Sequence, residues 1–194
     1  MRAPSLLIAA LLLCAAGPPA DPDWPCVQRL VPTLTPGTLW GGHDPAGNWR
    51  QDPAVVAVVR AVSPRAVPGE AAAAQLSAYA STVPVPERPE KLAELFAGLV
   101  EETNVQRTGI IDRLRDITRR QRLLANTSSR VGAELAALPA DAPTTQRSEV
   151  VERRLLINRE YEEVERTIRY ACEAPVAMEA KLGTLAQALQ RSLE

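Results

Sequence analysis

The chain has 194 residues, a formal net charge of −1 and 46% hydrophobic residues. This length allows one domain with a modest core or one elongated helical body, and it excludes two large domains. The nearly neutral charge gives no global field that would attract nucleic acid.

The first twenty residues have the features of an export signal. Arg2 supplies a positive charge, residues 6–16 form an unbroken apolar run, and small residues and prolines precede Asp21. We expect cleavage after Ala16 or Ala20. The run is too short to span a bilayer, which needs roughly 20 apolar residues in a helix, and no later segment offers them. The sequence therefore predicts an exported protein without a transmembrane span.

The amino-acid usage points to a bacterial source. Lysine occurs only at Lys91 and Lys181, whereas arginine, alanine and proline are frequent. This bias is typical of GC-rich bacterial genomes. Together with the export signal, it predicts a periplasmic location.

The chain contains three cysteines. Removal of the leader takes Cys14 and leaves Cys26 and Cys172, an even number in an oxidising compartment, which predicts a disulfide. Such a bond would close a loop of roughly 145 residues and stabilise the fold by about 3 to 5 kcal/mol in the chain-entropy model. The alternatives are two unpaired thiols or a metal pair. Cys14 also leaves a lipid anchor open, although Leu13 precedes it where lipoprotein processing needs a small residue.

The N-terminal third of the mature chain is predicted to be irregular at first and then helical. Residues 21–53 are rich in proline and glycine and contain all three tryptophans, so we expect an irregular segment that packs on the rest of the protein. Residues 54–86 are assigned to short helices and a spacer. Helical patterns cover Pro53–Val62 and residues 68–81, each with proline near its start, and the prolines of residues 83–86 predict an extended spacer.

Residues 87–194 carry the clearest pattern. From Leu92, apolar or small polar residues recur in a 4-3 rhythm that is typical of a helix-packing seam. Residues 139–145 interrupt the rhythm, which then resumes to the end of the chain. The predicted fold is therefore all-α, built on a long antiparallel, coiled-coil-like helical hairpin that is kinked at Pro175.

A turn near Ala142 fixes the expected register of this hairpin, because antiparallel helices rise equally per residue. Gly109 then falls opposite Pro175, where a glycine would give the kinked backbone room. The same register pairs Arg119 with Glu165 and Arg122 with Glu162.

Polar residues within the seam indicate that the hairpin is not a dry two-helix zipper. We expect the short helices and the tryptophan-containing segment to cover its second apolar stripe. The polar seam residues are Thr103, Gln106, Gln121 and Ser128, and the stripe includes Leu95, Val100, Ile111 and Leu123.

The loop at residues 40–49 holds the only histidine of the chain. His43 and Asp44 lie in a glycine-rich stretch between Trp40 and Trp49, an arrangement that suggests contact with a small ligand. Transition-metal sites usually take three or four ligands, whereas this loop offers two, and tryptophans usually fill the core of a small protein. The pattern favours core packing. Contact of these four residues with a ligand or partner is the alternative, and a metal site is the least favoured interpretation.

The remaining motifs argue against catalysis and nucleic-acid binding. A basic series lies between residues 113 and 122, but export and the acidic residues 160–165 of the facing helix favour a solvated, paired surface. The chain has no GxSxG, CxxC or HExxH motif. We therefore predict no catalytic residues, no cofactor and no nucleic-acid partner.

Three short motifs resemble those of a group of uncharacterised exported helical proteins of alphaproteobacteria. They are DWPC at residues 23–26, WGG at residues 40–42 and YACEAP at residues 170–175. The resemblance implies that Cys26 and Cys172 belong to one framework, and it implies no activity.

The function expected from these observations is that of a non-enzymatic accessory or interaction protein of the periplasm. Helical surfaces with polar breaks suit contact with a protein partner, and helical faces could also support a homo-oligomer. The alternatives are a small-ligand or metal binder that uses the Trp40–Trp49 loop and an enzyme of unknown type.

Overall fold

The computed structural model describes residues 21–44 and 47–194. The predicted leader, both candidate cleavage sites and Cys14 lie outside the described residues. The described residues form five α-helices and no strand, which confirms the all-α prediction. The helices are α1 (Pro53–Val62), α2 (Gly69–Thr82), α3 (Arg88–Ala137), α4 (Thr144–Ala171) and α5 (Glu173–Arg191).

Local sequence explains where α1 begins and what it buries. The Asp52 side chain accepts hydrogen bonds from the backbone N–H groups of Ala54 and Val55, at 2.9 and 3.2 Å, and Pro53 occupies the first helical position. Three valines recur along one face of α1 and are fully buried. They are Val55, Val59 and Val62.

The predicted extended spacer is only partly extended. Val83 and Pro84 have extended backbone angles, but Val85–Glu87 forms a 3-10 turn that leads directly into α3. Proline favours this outcome because its fixed φ and missing N–H suit the first turn of a helix.

The long hairpin is present, with α3 as one side and α4 followed by α5 as the other. The second side is interrupted at Cys172, three residues before Pro175. A proline cannot donate to the carbonyl four residues earlier, and its ring clashes with that carbonyl, which here belongs to Ala171. The interruption therefore lies one turn upstream of the proline that causes it.

Contacts between α3 and α4 place the register within about one helical turn of the predicted one. Ser128 donates a hydrogen bond of 2.6 Å to Asn158 inside the seam, and Arg120 pairs with Glu160. The predicted partners of two arginines were wrong. Arg119 and Arg122 pair with Asp23 of the N-terminal segment, because that segment, and not α4, lies along their side of α3.

Residues 21–44 and 47–52, here called the strap, form an irregular segment that follows α3 towards its N-terminus. Asn104 binds the backbone of Leu34 through two hydrogen bonds of 2.8 and 2.9 Å, and Arg107 donates to the Val31 carbonyl at 3.0 Å. The only regular structure in the strap is two 3-10 turns, Pro36–Thr38 and Trp49–Gln51. Its position depends on cross-links to the helices.

A disulfide joins the strap to the interruption between α4 and α5. The bonded residues are Cys26 and Cys172, and the Gln28 side-chain amide donates to the Cys172 carbonyl at 2.6 Å. The strap is therefore fixed across the waist of the hairpin.

The main hydrophobic core lies between α1, α2, α5, the strap and the first part of α3. Leu95, Val100 and Ile111 are covered, as expected for the second apolar stripe. Leu123 was expected to be covered as well, but 62% of it is exposed. The reason is that no strap hydrogen bond or ion pair extends along α3 beyond Arg122. None of the described helices has the length and apolarity needed to cross a membrane.

Two glycines of α3 have opposite environments. A Cβ atom at Gly98 would lie 2.8 Å from Val59 Cγ2 and 2.9 Å from Trp49 Cδ2, so α1 and the strap approach the α3 backbone here. A Cβ at Gly109 would meet nothing within 4 Å. The prediction that Gly109 makes room for the kink at Pro175 was therefore wrong, since no neighbour approaches it.

We predict that Gly98→Ala lowers the free energy of unfolding by about 1 to 3 kcal/mol, because the added methyl group overpacks a closed contact. Gly109→Ala is the matched control and should raise it by about 0.5 to 1 kcal/mol through helix propensity. Chemical denaturation measures both. Equal effects of the two substitutions would contradict the close approach at Gly98.

Candidate functional site

The first tryptophan of the predicted ligand loop is part of the core. Trp40 is buried and stacks on Phe96, with ring centroids 5.0 Å apart and an interplanar angle of 18°. Its indole N–H donates to the backbone carbonyl of His43 at 2.8 Å, which satisfies its only polar atom. Trp40 therefore has a complete set of partners within the protein.

The second tryptophan is buried as well and joins the strap to α3. The Trp49 indole N–H donates to a Glu101 carboxylate oxygen at 2.8 Å, and the Arg50 guanidinium lies 4.4 Å from the centroid of the Trp49 ring. Arg50 also forms a two-fold ion pair with Glu101. These donors, Arg50 first and then Trp49, lower the pKa of Glu101.

The two polar residues of the loop face solvent. His43 and Asp44 are exposed, so the four predicted ligand-binding side chains divide between core and solvent. Within residues 21–44 and 47–194, no group of three histidine, cysteine, aspartate or glutamate side chains could hold a metal ion.

Three arginines of the basic series of α3 form ion pairs with the strap. Arg115 pairs with Asp21 at 2.9 Å, and Arg119 and Arg122 both pair with Asp23. Arg122 contributes most to lowering the pKa of Asp23, and Arg119 contributes next. Three arginines are thus partly neutralised by the start of the strap.

We predict that the Asp23 contacts are lost in acid. A carboxylate whose folded pKa lies below its unfolded value contributes stability above the unfolded pKa and loses it as the pH falls through the folded pKa. As the pH falls below the ordinary aspartate pKa of about 4, the amide NMR signals of Asp23 and Trp24 should shift towards those of Asp23→Asn. Asp44→Asn, at an exposed carboxylate, is the control and should show the same pH-dependent shifts as the unchanged protein. Shifts of the same size in Asp23→Asn and in the unchanged protein would contradict the assignment.

A buried arginine is the residue that sequence reasoning missed. Arg107 is 2% exposed and pairs with Glu179 of α5, while its Nε and Nη1 atoms have no partner among the described residues. It connects the strap, α3 and α5. The sequence did contain one indication of this pair, because the predicted register places the opposite charge of Glu179 near Arg107.

Two clefts flank the start of α5. One, of about 640 Å³, lies beside the disulfide and is lined by Pro25, Val27, Ile168 and Val176 among others. The other, of about 390 Å³, lies between the α1–α2 connection, α3 and α5, and it combines leucines with Ser63, Arg65 and Lys181. Neither cleft contains a residue of the predicted tryptophan loop.

Beyond the strap, α3 and α4 pack on one another, and no other described element forms a hydrogen bond or ion pair with them there. Residues 123–159, here called the arm, contain two buried residues, Val131 and Val150. The α3 part of the arm, 15 residues from Leu123 to the end of α3, is about 20 Å long at the usual rise per residue. Four large apolar side chains of the arm are at least partly exposed: Leu123, Val151, Leu155 and Leu156.

Comparison of the chain with protein-family models, curated proteins and solved structures finds no match in any of the three. The geometry of the chain's own residues is therefore the basis for assigning a function.

Proposed function

We propose that the protein is a non-enzymatic accessory protein of the bacterial periplasm that contacts a protein partner through the arm. The observation that carries the proposal is the exposure of leucines on a two-helix projection that none of the other described elements covers. Leu123, Leu155 and Leu156 are 62%, 53% and 57% exposed. The partner would present a helical or grooved apolar surface.

The energetics of the arm support this use. Fully burying a leucine side chain is worth about 1.5 to 3 kcal/mol, so covering the exposed half of each leucine would contribute about 1 kcal/mol. The seam of the arm has only two buried residues, Val131 and Val150, and it contains the polar pair Ser128 and Asn158. Contact with a partner would therefore add apolar burial to an arm that has little of its own.

Charge on the same helices would favour a specific orientation of the partner. Arg153 pairs with Glu134 across the arm, and Leu156 lies among Glu149, Glu152 and Glu160 on α4. Charged residues around an apolar centre resemble the polar rim of a protein interface.

Export is the second part of the proposal. The leader-like residues 1–20 and the Cys26–Cys172 disulfide both fit an oxidising compartment. The burial of Trp40 and Trp49 gives the ligand-loop alternative no specific support.

We predict that a photo-reactive amino acid placed at Leu155 forms a covalent adduct with a partner in the periplasm, whereas the same amino acid at Arg60, on the exposed side of α1, does not. In a second protein the photo-reactive amino acid replaces Leu156. Adding Leu155→Glu to it should abolish the adduct, and it should leave the thermal stability nearly unchanged because the Leu155 side chain is half exposed. The adduct's mass distinguishes another protein from a second copy.

Equal adduct formation from Leu155 and from Arg60, or no adduct from Leu155, would contradict the proposal. An adduct only between two copies of this chain would replace the accessory role by self-association through the arm.

A further inference from the structure

The cleft between the α1–α2 connection, α3 and α5 combines an apolar wall with polar groups at one end. Leu99, Met178 and Leu182 contribute to the wall. Ser63 and Lys181 contribute the polar groups. Its volume of about 390 Å³ lies at the small end of the range of about 300 to 1,000 Å³ that is typical of ligand pockets.

Ser63 presents a buried hydroxyl group without a partner. Its backbone N–H bonds the Val59 carbonyl at 3.0 Å, and its own carbonyl accepts from the Gln106 side chain at 3.2 Å. Its Oγ atom is buried and has no hydrogen-bond partner among the described residues. A buried hydroxyl normally finds a partner, and a water molecule or a ligand atom can fill this role.

Lys181 brings a positive charge to the same cleft. Its ammonium donates to the carbonyls of Val62 and Pro64, at 2.7 and 2.9 Å. An ammonium has three N–H bonds, so one remains available. Within the described residues no carboxylate lies within 4 Å of Lys181 or of Arg65, the other cation of the cleft.

The second lysine of the chain shows the contrast. Lys91 pairs with Asp52 at 2.7 Å and Glu94 at 3.4 Å, and the Asp52 contact is the main cause of its raised pKa. Burial lowers the pKa of Lys181. A partly buried ammonium without a counter-charge is the state that an anion would relieve.

We propose that this cleft binds a small organic anion that has a carboxylate head and an apolar body. The head accepts a hydrogen bond from the free N–H of the Lys181 ammonium, and Arg65 adds positive charge at the cleft. Rotation of the Ser63 side chain about its Cα–Cβ bond brings its buried hydroxyl to the head as a second donor. The body packs against Leu99, Met178 and Leu182. This site is independent of the arm and of the proposed partner.

The test uses the oxidised protein labelled with ¹³C-lysine, in which Lys91 and Lys181 give two separate Cε NMR signals. Titration with octanoate should shift the Lys181 signal saturably and leave the Lys91 signal in place. Octylamine, which has the same chain and the opposite charge, should not produce the saturable shift.

Variants separate binding from folding. Ser63→Ala removes a hydroxyl that has no partner, so it should leave the thermal stability unchanged and weaken octanoate binding about tenfold, as expected for one hydrogen bond to a charged group. Arg65→Gln should also weaken binding, whereas Arg60→Gln, an exposed arginine on α1, should not. Absence of a saturable Lys181 shift, equal binding of octylamine, or unchanged affinity in Ser63→Ala would overturn the proposal.

Discussion

The Cys26–Cys172 disulfide holds a segment with little regular structure across the waist of a helical hairpin. The strap has only two short 3-10 turns, so its place is set by bonds to other elements. Those bonds include the disulfide, the hydrogen bonds from α3 to its backbone, and the ion pairs of Asp21 and Asp23 with α3. Trp40 and Trp49 are also buried against α3. The motifs around the two cysteines and the tryptophans therefore all supply contacts that hold the strap on the helices.

The extent of the strap also divides the hairpin into two parts. The strap follows α3 as far as Arg122, and residues 92–100 of α3 contribute to one core with α1, α2 and α5. Beyond it, α3 and α4 pack only on one another among the described elements, and leucines are left exposed. The same constraint that stabilises the body thus leaves a projecting surface, and the cleft at Ser63 and Lys181 lies on the body, away from that surface.

Sequence reasoning predicted what depends on periodicity and counting. The 4-3 rhythm predicted the hairpin and its register to within a turn. The two cysteines that remain after removal of the predicted leader predicted the disulfide. It assigned Arg119 and Arg122 to glutamates of α4, because an irregular segment has no period from which its contacts with Asp23 could be read. The buried Arg107 and the Ser63–Lys181 cleft depend on residues far apart in the chain, which only the packed fold brings together.

The claim that the disulfide fixes the strap without supporting the arm is tested most directly by hydrogen exchange. Amides of oxidised protein and of a Cys26→Ser/Cys172→Ser variant would be compared residue by residue. The structure predicts faster exchange in the strap of the variant, including the Leu34 amide that bonds Asn104, and unchanged exchange in residues 123–159. Unchanged exchange in the strap, or an equal increase in the arm, would contradict this account.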